Sequence, residues 1–161
     1  MSETKTRFFL GRADTIADRP QEVHRAQQLD IDDKAHWLMP RLREAYPSYG
    51  DTQIINFLRN CIPSPDWFFI ASANAILLAQ VVTPPMRKMR VDEEFCIAKS
   101  EDDWEEAAGL YRDLKTWATH IGASKLCVDC FSDVPRDVIG RRVGKVTRMD
   151  IFVVSLETTP I

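Results

Sequence analysis

The stretch Phe95-Cys96-Ile97-Ala98-Lys99-Ser100-Glu101-Asp102-Asp103-Trp104-Glu105-Glu106 constrains this chain more than any other. An apolar run of strand character passes through an acidic turn directly into the clearest helix of the sequence. In α/β domains that hold mononucleotides, a junction of this kind takes the phosphates, because the helix N-terminus presents unpaired N–H groups and glycines let the backbone come close. Here the junction carries five carboxylates between Glu101 and Glu106 and no glycine. The order of elements points to one kind of site, and the residues of the loop oppose it.

In the helix that follows, Trp104, Ala107, Ala108, Tyr111, Leu114, Trp117, Ala118 and Ile121 fall at steps of three and four residues. Asp102 or Asp103 caps its start, and Gly122 suits the left-handed position that ends helices. Upstream, Val23-His24-Arg25-Ala26 reads as a short first strand. Asp30-Ile31-Asp32-Asp33 then supplies capping oxygens for a helix with Trp37, Leu38, Leu42 and Ala45 on one face. Pro40 is expected to kink that helix or to mark the first turn of a second. Asp51-Thr52 opens another helix that buries Ile54, Ile55, Phe57, Leu58 and Cys61 and stops at Pro63-Ser64-Pro65.

Two apolar runs, Trp67 to Ala71 and Ala75 to Val82, form a hairpin across Ser72-Ala73-Asn74, with the asparagine suited to a left-handed turn. A further strand runs from about Glu93 to Lys99, and Leu126 to Phe131 is a short one. Asp133-Val134-Pro135 opens a last helix that Gly144 follows, and Val146 to Leu156 reads as the closing strand.

At 161 residues, 45% hydrophobic and 28% charged, the chain has enough apolar material for one core without disulfides or metal. Residues 1–22 are polar and unpatterned apart from Phe8-Phe9-Leu10, so the reading is an N-terminal arm over 1–22 and a single domain over 23–161. A net charge of −3 and a pI near 5.6 give no global attraction to nucleic acid or an anionic membrane. No segment approaches the roughly 18 apolar residues of a membrane span, and the first residues lack a signal-peptide core, which predicts a cytoplasmic protein. Cys61, Cys96, Cys127 and Cys130 are then expected to be reduced thiols packed as small hydrophobes.

Strand, two helices, hairpin, strand, long helix, strand, helix and strand is an order that resembles the GNAT superfamily of acyl-CoA-dependent N-acetyltransferases over residues 23–156. The end of the chain adds to the likeness, because Asp133 and Ile139-Gly140-Arg141-Arg142-Val143-Gly144-Lys145 resemble the family's loop, helix and glycine step before its last strands. The resemblance implies an α/β (α+β) fold: a mixed, mostly antiparallel twisted sheet of five to seven strands with helices on both faces.

It also implies a bulged fourth strand whose freed N–H holds an acetyl carbonyl, followed by a loop that wraps the pyrophosphate of acetyl-CoA. By position, Cys96, Ile97, Ala98 and Lys99 would bind that cofactor if the chain is active, and Glu93 or Glu94 would deprotonate the amine through water as the catalytic base. Gly140 stands where the family places its tyrosine general acid. A helix N-terminus attracts an anion by about 0.3–1 kcal/mol per charge, and several nearby carboxylates repel a phosphate by a comparable amount each. Repulsion should win.

The expectation is therefore a GNAT-like scaffold without acetyl-CoA chemistry and with no cofactor, acting as a binding or assembly protein and resembling small phage-encoded proteins, some of them carried in the virion. In that case it would reside in the host cytoplasm or the virion. An active acyl-CoA-dependent N-acetyltransferase with a non-standard pyrophosphate loop is the alternative. The expected partner is a protein or a second copy, met through the acidic patch at 101–106 and the basic patch of Arg136, Arg141, Arg142, Lys145 and Arg148.

Cys127 and Cys130 have the spacing of half a zinc site, but residues three apart on a strand point to opposite faces, and His24, His36 and His120 stand singly, so no metal is expected. Cys130 with His120 or His24 lacks the electropositive setting a reactive thiol needs. Trp37, Trp67, Trp104 and Trp117 sit at core-facing positions, without the basic interleaving of a nucleic-acid surface.

Overall fold

The computed structural model describes residues 22–128 and 131–144. Residues 1–21 of the predicted arm, Asp129 and Cys130, Lys145, Arg148 and the closing strand at Val146 to Leu156 lie outside the described residues. In chain order the elements are β1 (His24–Arg25), α1 (Gln28–Ala45), α2 (Asp51–Cys61), β2 (Trp67–Ser72), β3 (Ala75–Val82), β4 (Arg90–Ala98), α3 (Trp104–His120), β5 (Lys125–Cys127) and α4 (Arg136–Val143). A 3₁₀ turn at Glu101–Asp103 leads into α3. The sheet order is β1-β2-β3-β4-β5, antiparallel throughout except for the parallel β4–β5 pair.

β2 and β3 read as unbroken apolar runs because both of their faces are covered. Phe68, Ile70, Ala75, Leu77 and Ala79 pack with α3 and α4 in one core. Phe69, Ala71, Ile76 and Leu78 pack with α1 and α2 in the other. The four tryptophans pack where the sequence put them, Trp37 and Trp67 against the second core and Trp104 and Trp117 against the first. Trp117 stacks on Phe68 with ring centroids 4.5 Å apart.

Three local expectations are corrected. α1 starts at Gln28, ahead of the proposed caps, because Asp30 sits two residues inside the helix and its carboxylate accepts the N–H of Gln27 at 2.8 Å. It then continues through Pro40 as one helix of 18 residues. Pro40 lies on the exposed side, where the carbonyl that loses its donor meets water. Asn74 does not adopt a left-handed conformation; Met86 is the one non-glycine with positive φ among the described residues. The hairpin turn is held from outside instead, by the Glu106 carboxylate accepting from Asn74 N and Ser72 Oγ, each at 2.6 Å.

The end of α3 follows its sequence signal. Gly122 has φ +84°, with Gly122 N donating to Thr119 O and Ala123 N to Ala118 O, the paired bonds of a Schellman cap. At the other end of the sheet, the edge strand β1 is fastened to α1 by a buried polar group. Asp30 accepts from His24 Nε2 at 2.8 Å and from Lys34 Nζ at 3.3 Å.

Two measurements test this framework. Leu77 is fully buried at the centre of the sheet, so Leu77→Ala should cost about 3 kcal/mol in denaturant unfolding. The hydrogen bond to Asp30 holds the His24 imidazole above its ordinary value of 6.5. Stability from this pair is therefore complete below 6.5 and is lost as pH rises through the raised value, while Asp30, lowered on balance despite its burial, gives up its share only in acid. The melting temperature should fall as pH rises above about 6.5, and His24→Gln should flatten that part of the profile.

Candidate functional site

The site predicted from sequence lies along β4, whose pairing with β3 shifts register between Leu78 and Ala79. Phe95 faces Leu78 and Glu93 faces Ala79, which leaves Glu94 as the extra residue of a β-bulge. The bulge resets the alternation of the strand. Val91 and Cys96 belong to the α3 core, while Phe95 and Ile97 belong to the α1–α2 core. The two candidate bases consequently turn to opposite faces of the sheet and do not converge.

Glu93 is 2% exposed and lies beside Cys96 and Tyr111 under α3. Glu94 lies on the other face and accepts the Tyr46 hydroxyl at 2.6 Å. Burial, with Glu94 second, holds the Tyr46 phenol protonated far above its usual range and pushes the Cys61 thiol up to about 12. Tyr46, Phe57 and Trp67 form an edge-to-face chain of rings over this carboxylate's side of the sheet, with centroids 6.0 and 5.4 Å apart.

The four residues assigned to a cofactor have their backbone N–H groups committed within the chain. β5 pairs with β4 over Arg90 to Asp92, and the chain returns to β4 farther along, where Ser132 forms a parallel bridge with Cys96. Cys96 N donates to Phe131 O at 2.9 Å, and Asp133 N donates to Cys96 O at 3.1 Å. Ala98 N donates to the Asp133 carboxylate at 3.1 Å. Ile97 pairs with Ile76 of β3, and Lys99 N donates to Asn74 O at 2.8 Å. The Cys96 thiol is buried and pushed well above its usual value by desolvation, with the Glu93 charge second, so it serves as a small apolar group.

The segment Phe131 to Asp133 is held from both sides. The Arg41 guanidinium on α1 forms an ion pair with the Asp133 carboxylate and lies 5.3 Å from the centre of the Phe131 ring. On the α3 side the Tyr111 hydroxyl donates to Ser132 Oγ at 2.8 Å, and that oxygen also accepts Val134 N at 3.1 Å. Sequence reasoning picked out Asp133 by its place in a motif but missed Arg41, Tyr111 and Ser132. Tyr111 is one of the core positions of a regular helix, and nothing along the chain announces that its oxygen has a polar partner in a distant loop.

The loop after β4 remains acidic but is less repulsive than its composition suggests. Asp103 accepts from Ser100 Oγ at 2.9 Å, and Glu106 is spent on the hairpin turn. Glu105 accepts from Arg142 at 2.7 Å and Arg141 at 3.1 Å, which hold its carboxyl below the ordinary range. Part of the acidic patch and part of the basic patch therefore meet inside one molecule, joining the start of α3 to α4. Among the described residues no helix is long and apolar enough to cross a membrane, and no three potential metal ligands come together.

No protein-family model and no curated protein matches the sequence. Among solved structures, the chain is similar to a probable acetyltransferase, with a TM-score of 0.64 and 13% identity over 86% of this chain and 98% of that one. It is also similar to an aminoglycoside antibiotic 6'-N-acetyltransferase from Acinetobacter baumannii, with a TM-score of 0.57 and 14% identity over 85% and 98% of the two chains. A putative acetyltransferase from Agrobacterium tumefaciens matches with a TM-score of 0.54 and 12% identity over 83% and 98%. With its bulged fourth strand, its mostly antiparallel sheet and helices on both faces, the chain has the fold of the GNAT acetyltransferases.

Proposed function

We propose that this protein is a GNAT-fold scaffold that works by protein contact and does not carry out acetyl transfer. One observation carries the reading: the stretch of β4 that would pair with an acyl-CoA arm is already paired with residues 131–133 of the same chain. In this arrangement the residues do not fit the coenzyme. The carbonyl of Phe131 takes Cys96 N, a carboxylate takes Ala98 N, and a bound arm would have to displace both. The glycine-free loop supports the same reading, since Lys99 N and Asp103 N are bonded to Asn74 O and Ser100 O. Gly140 offers no hydroxyl where the family's general acid would stand.

Contact surfaces for a protein partner or a second copy are the exposed Glu101 and Asp102 at the approach to α3 and the outer face of α4 around Arg136. With Glu105 paired to Arg141 and Arg142, the exposed acidic residues that face a partner are Glu101 and Asp102. A component of a phage particle is the assembly role we assign to such a surface.

Isothermal titration with acetyl-CoA tests the reading. No heat of binding is expected at about 1 mM ligand, and a dissociation constant near 1 μM would return the chain to the acyltransferases, with Glu94 as the base to test first. The closed groove also has an energetic signature. Asp133→Ala leaves Ala98 N without its acceptor and Arg41 with the more exposed Glu44 in place of a nearly buried carboxylate, and should cost about 2 kcal/mol in urea unfolding.

A further inference from the structure

The Phe131 to Asp133 segment is bound by more than its own backbone. A strand that simply continued β5 would be held by the ladder alone, yet this one is gripped by a side chain from each face of the sheet. From the α1 face, Arg41 supplies an ion pair to Asp133 and a cation over the Phe131 ring. From the α3 face, Tyr111 supplies its hydroxyl to Ser132. Tyr111 is fully buried, so its hydroxyl contact acts where water competes little, whereas the ion pair joins an Asp133 side chain 9% exposed to an Arg41 side chain 35% exposed. Among the described residues one parallel bridge lies beneath them, at Cys96 and Ser132. A single bridge would open readily without support.

We propose that residues 131–133 are an intramolecular occupant of the β4 groove, a strap kept in place by two latches, Arg41 on Asp133 and Tyr111 on Ser132. This rests on the reading of a closed groove given above and adds how it is kept closed. The strap imitates an extended ligand: a carbonyl for Cys96 N, an amide for Cys96 O, and a carboxylate that bridges Ala98 N and the Arg41 guanidinium. Both latches are positioning residues that act through the strap. Releasing either loosens the strap, and releasing both leaves it on the Cys96–Ser132 bridge and the Ala98 N bond to Asp133.

Site-resolved hydrogen exchange on the full chain tests this with wild type, Arg41→Gln, Tyr111→Phe and the double variant. The amides of Cys96 and Ala98 face the strap, and those of Phe95 and Ile97, on the same strand, face β3 and serve as internal controls. Each single variant should lower protection at Cys96 and Ala98 by about tenfold and the double variant by more, with Phe95 and Ile97 unchanged. Arg41→Lys, which keeps the charge, should restore part of the protection. If Tyr111→Phe fails to fold, Ser132→Ala removes the same contact from the strap's side.

Unchanged exchange at Cys96 and Ala98, or a loss shared equally with Phe95 and Ile97, would overturn the latches. That outcome is separate from failure of the functional reading, which would appear as acetyl-CoA binding to the wild-type protein.

Discussion

The backbone of Cys96 is the point on which this structure turns. Among the described residues β4 stands fourth of five strands, pairing on its far side with β5 over Arg90 to Asp92 and with residues 131–133 at Cys96. Buried N–H and C=O groups left without partners are costly, so something must cover that side. In this chain the cover comes from the loop before α4, fixed by a carboxylate, a hydroxyl and an aromatic ring. The packing of α4 on α3 and the pairs from Glu105 to Arg141 and Arg142 carry the helix that follows this loop, so the α3–α4 layer and the groove depend on each other.

Charge and geometry divide the work at the head of α3. Five carboxylates crowd one turn, which from composition alone is a strongly repulsive site. Three of them are engaged, one by a serine of its own turn, one by a hairpin that needs an external acceptor, and one by two arginines of α4. What is left exposed, Glu101 and Asp102, is a smaller field than the sequence suggests. Acidic residues at the start of this helix thus act as fasteners between elements, and they also suit the positive end of the helix dipole.

Most of the framework was legible because periodicity and caps report local physics. α3, its glycine stop, the hairpin and the closing proline and glycine of α4 follow from patterns a few residues long. The bulge at Glu94 was reached only through the family resemblance, since Glu93-Glu94 on a strand carries no local mark of an extra residue. A local signal also misled at Asn74, where a distant carboxylate decided the outcome. The strap could not be read at all. It depends on Arg41, Tyr111 and Ser132 meeting through the fold, and no spacing in a sequence encodes a contact between the first helix and a loop nearly a hundred residues later.

The late arrival of that loop bears on how the polypeptide is made. On the ribosome, the hairpin and β4 emerge well before residues 131–133, so a nascent chain carries a naked strand margin flanked by apolar side chains until its own tail end appears. Such margins recruit other strands and are where polypeptides clump.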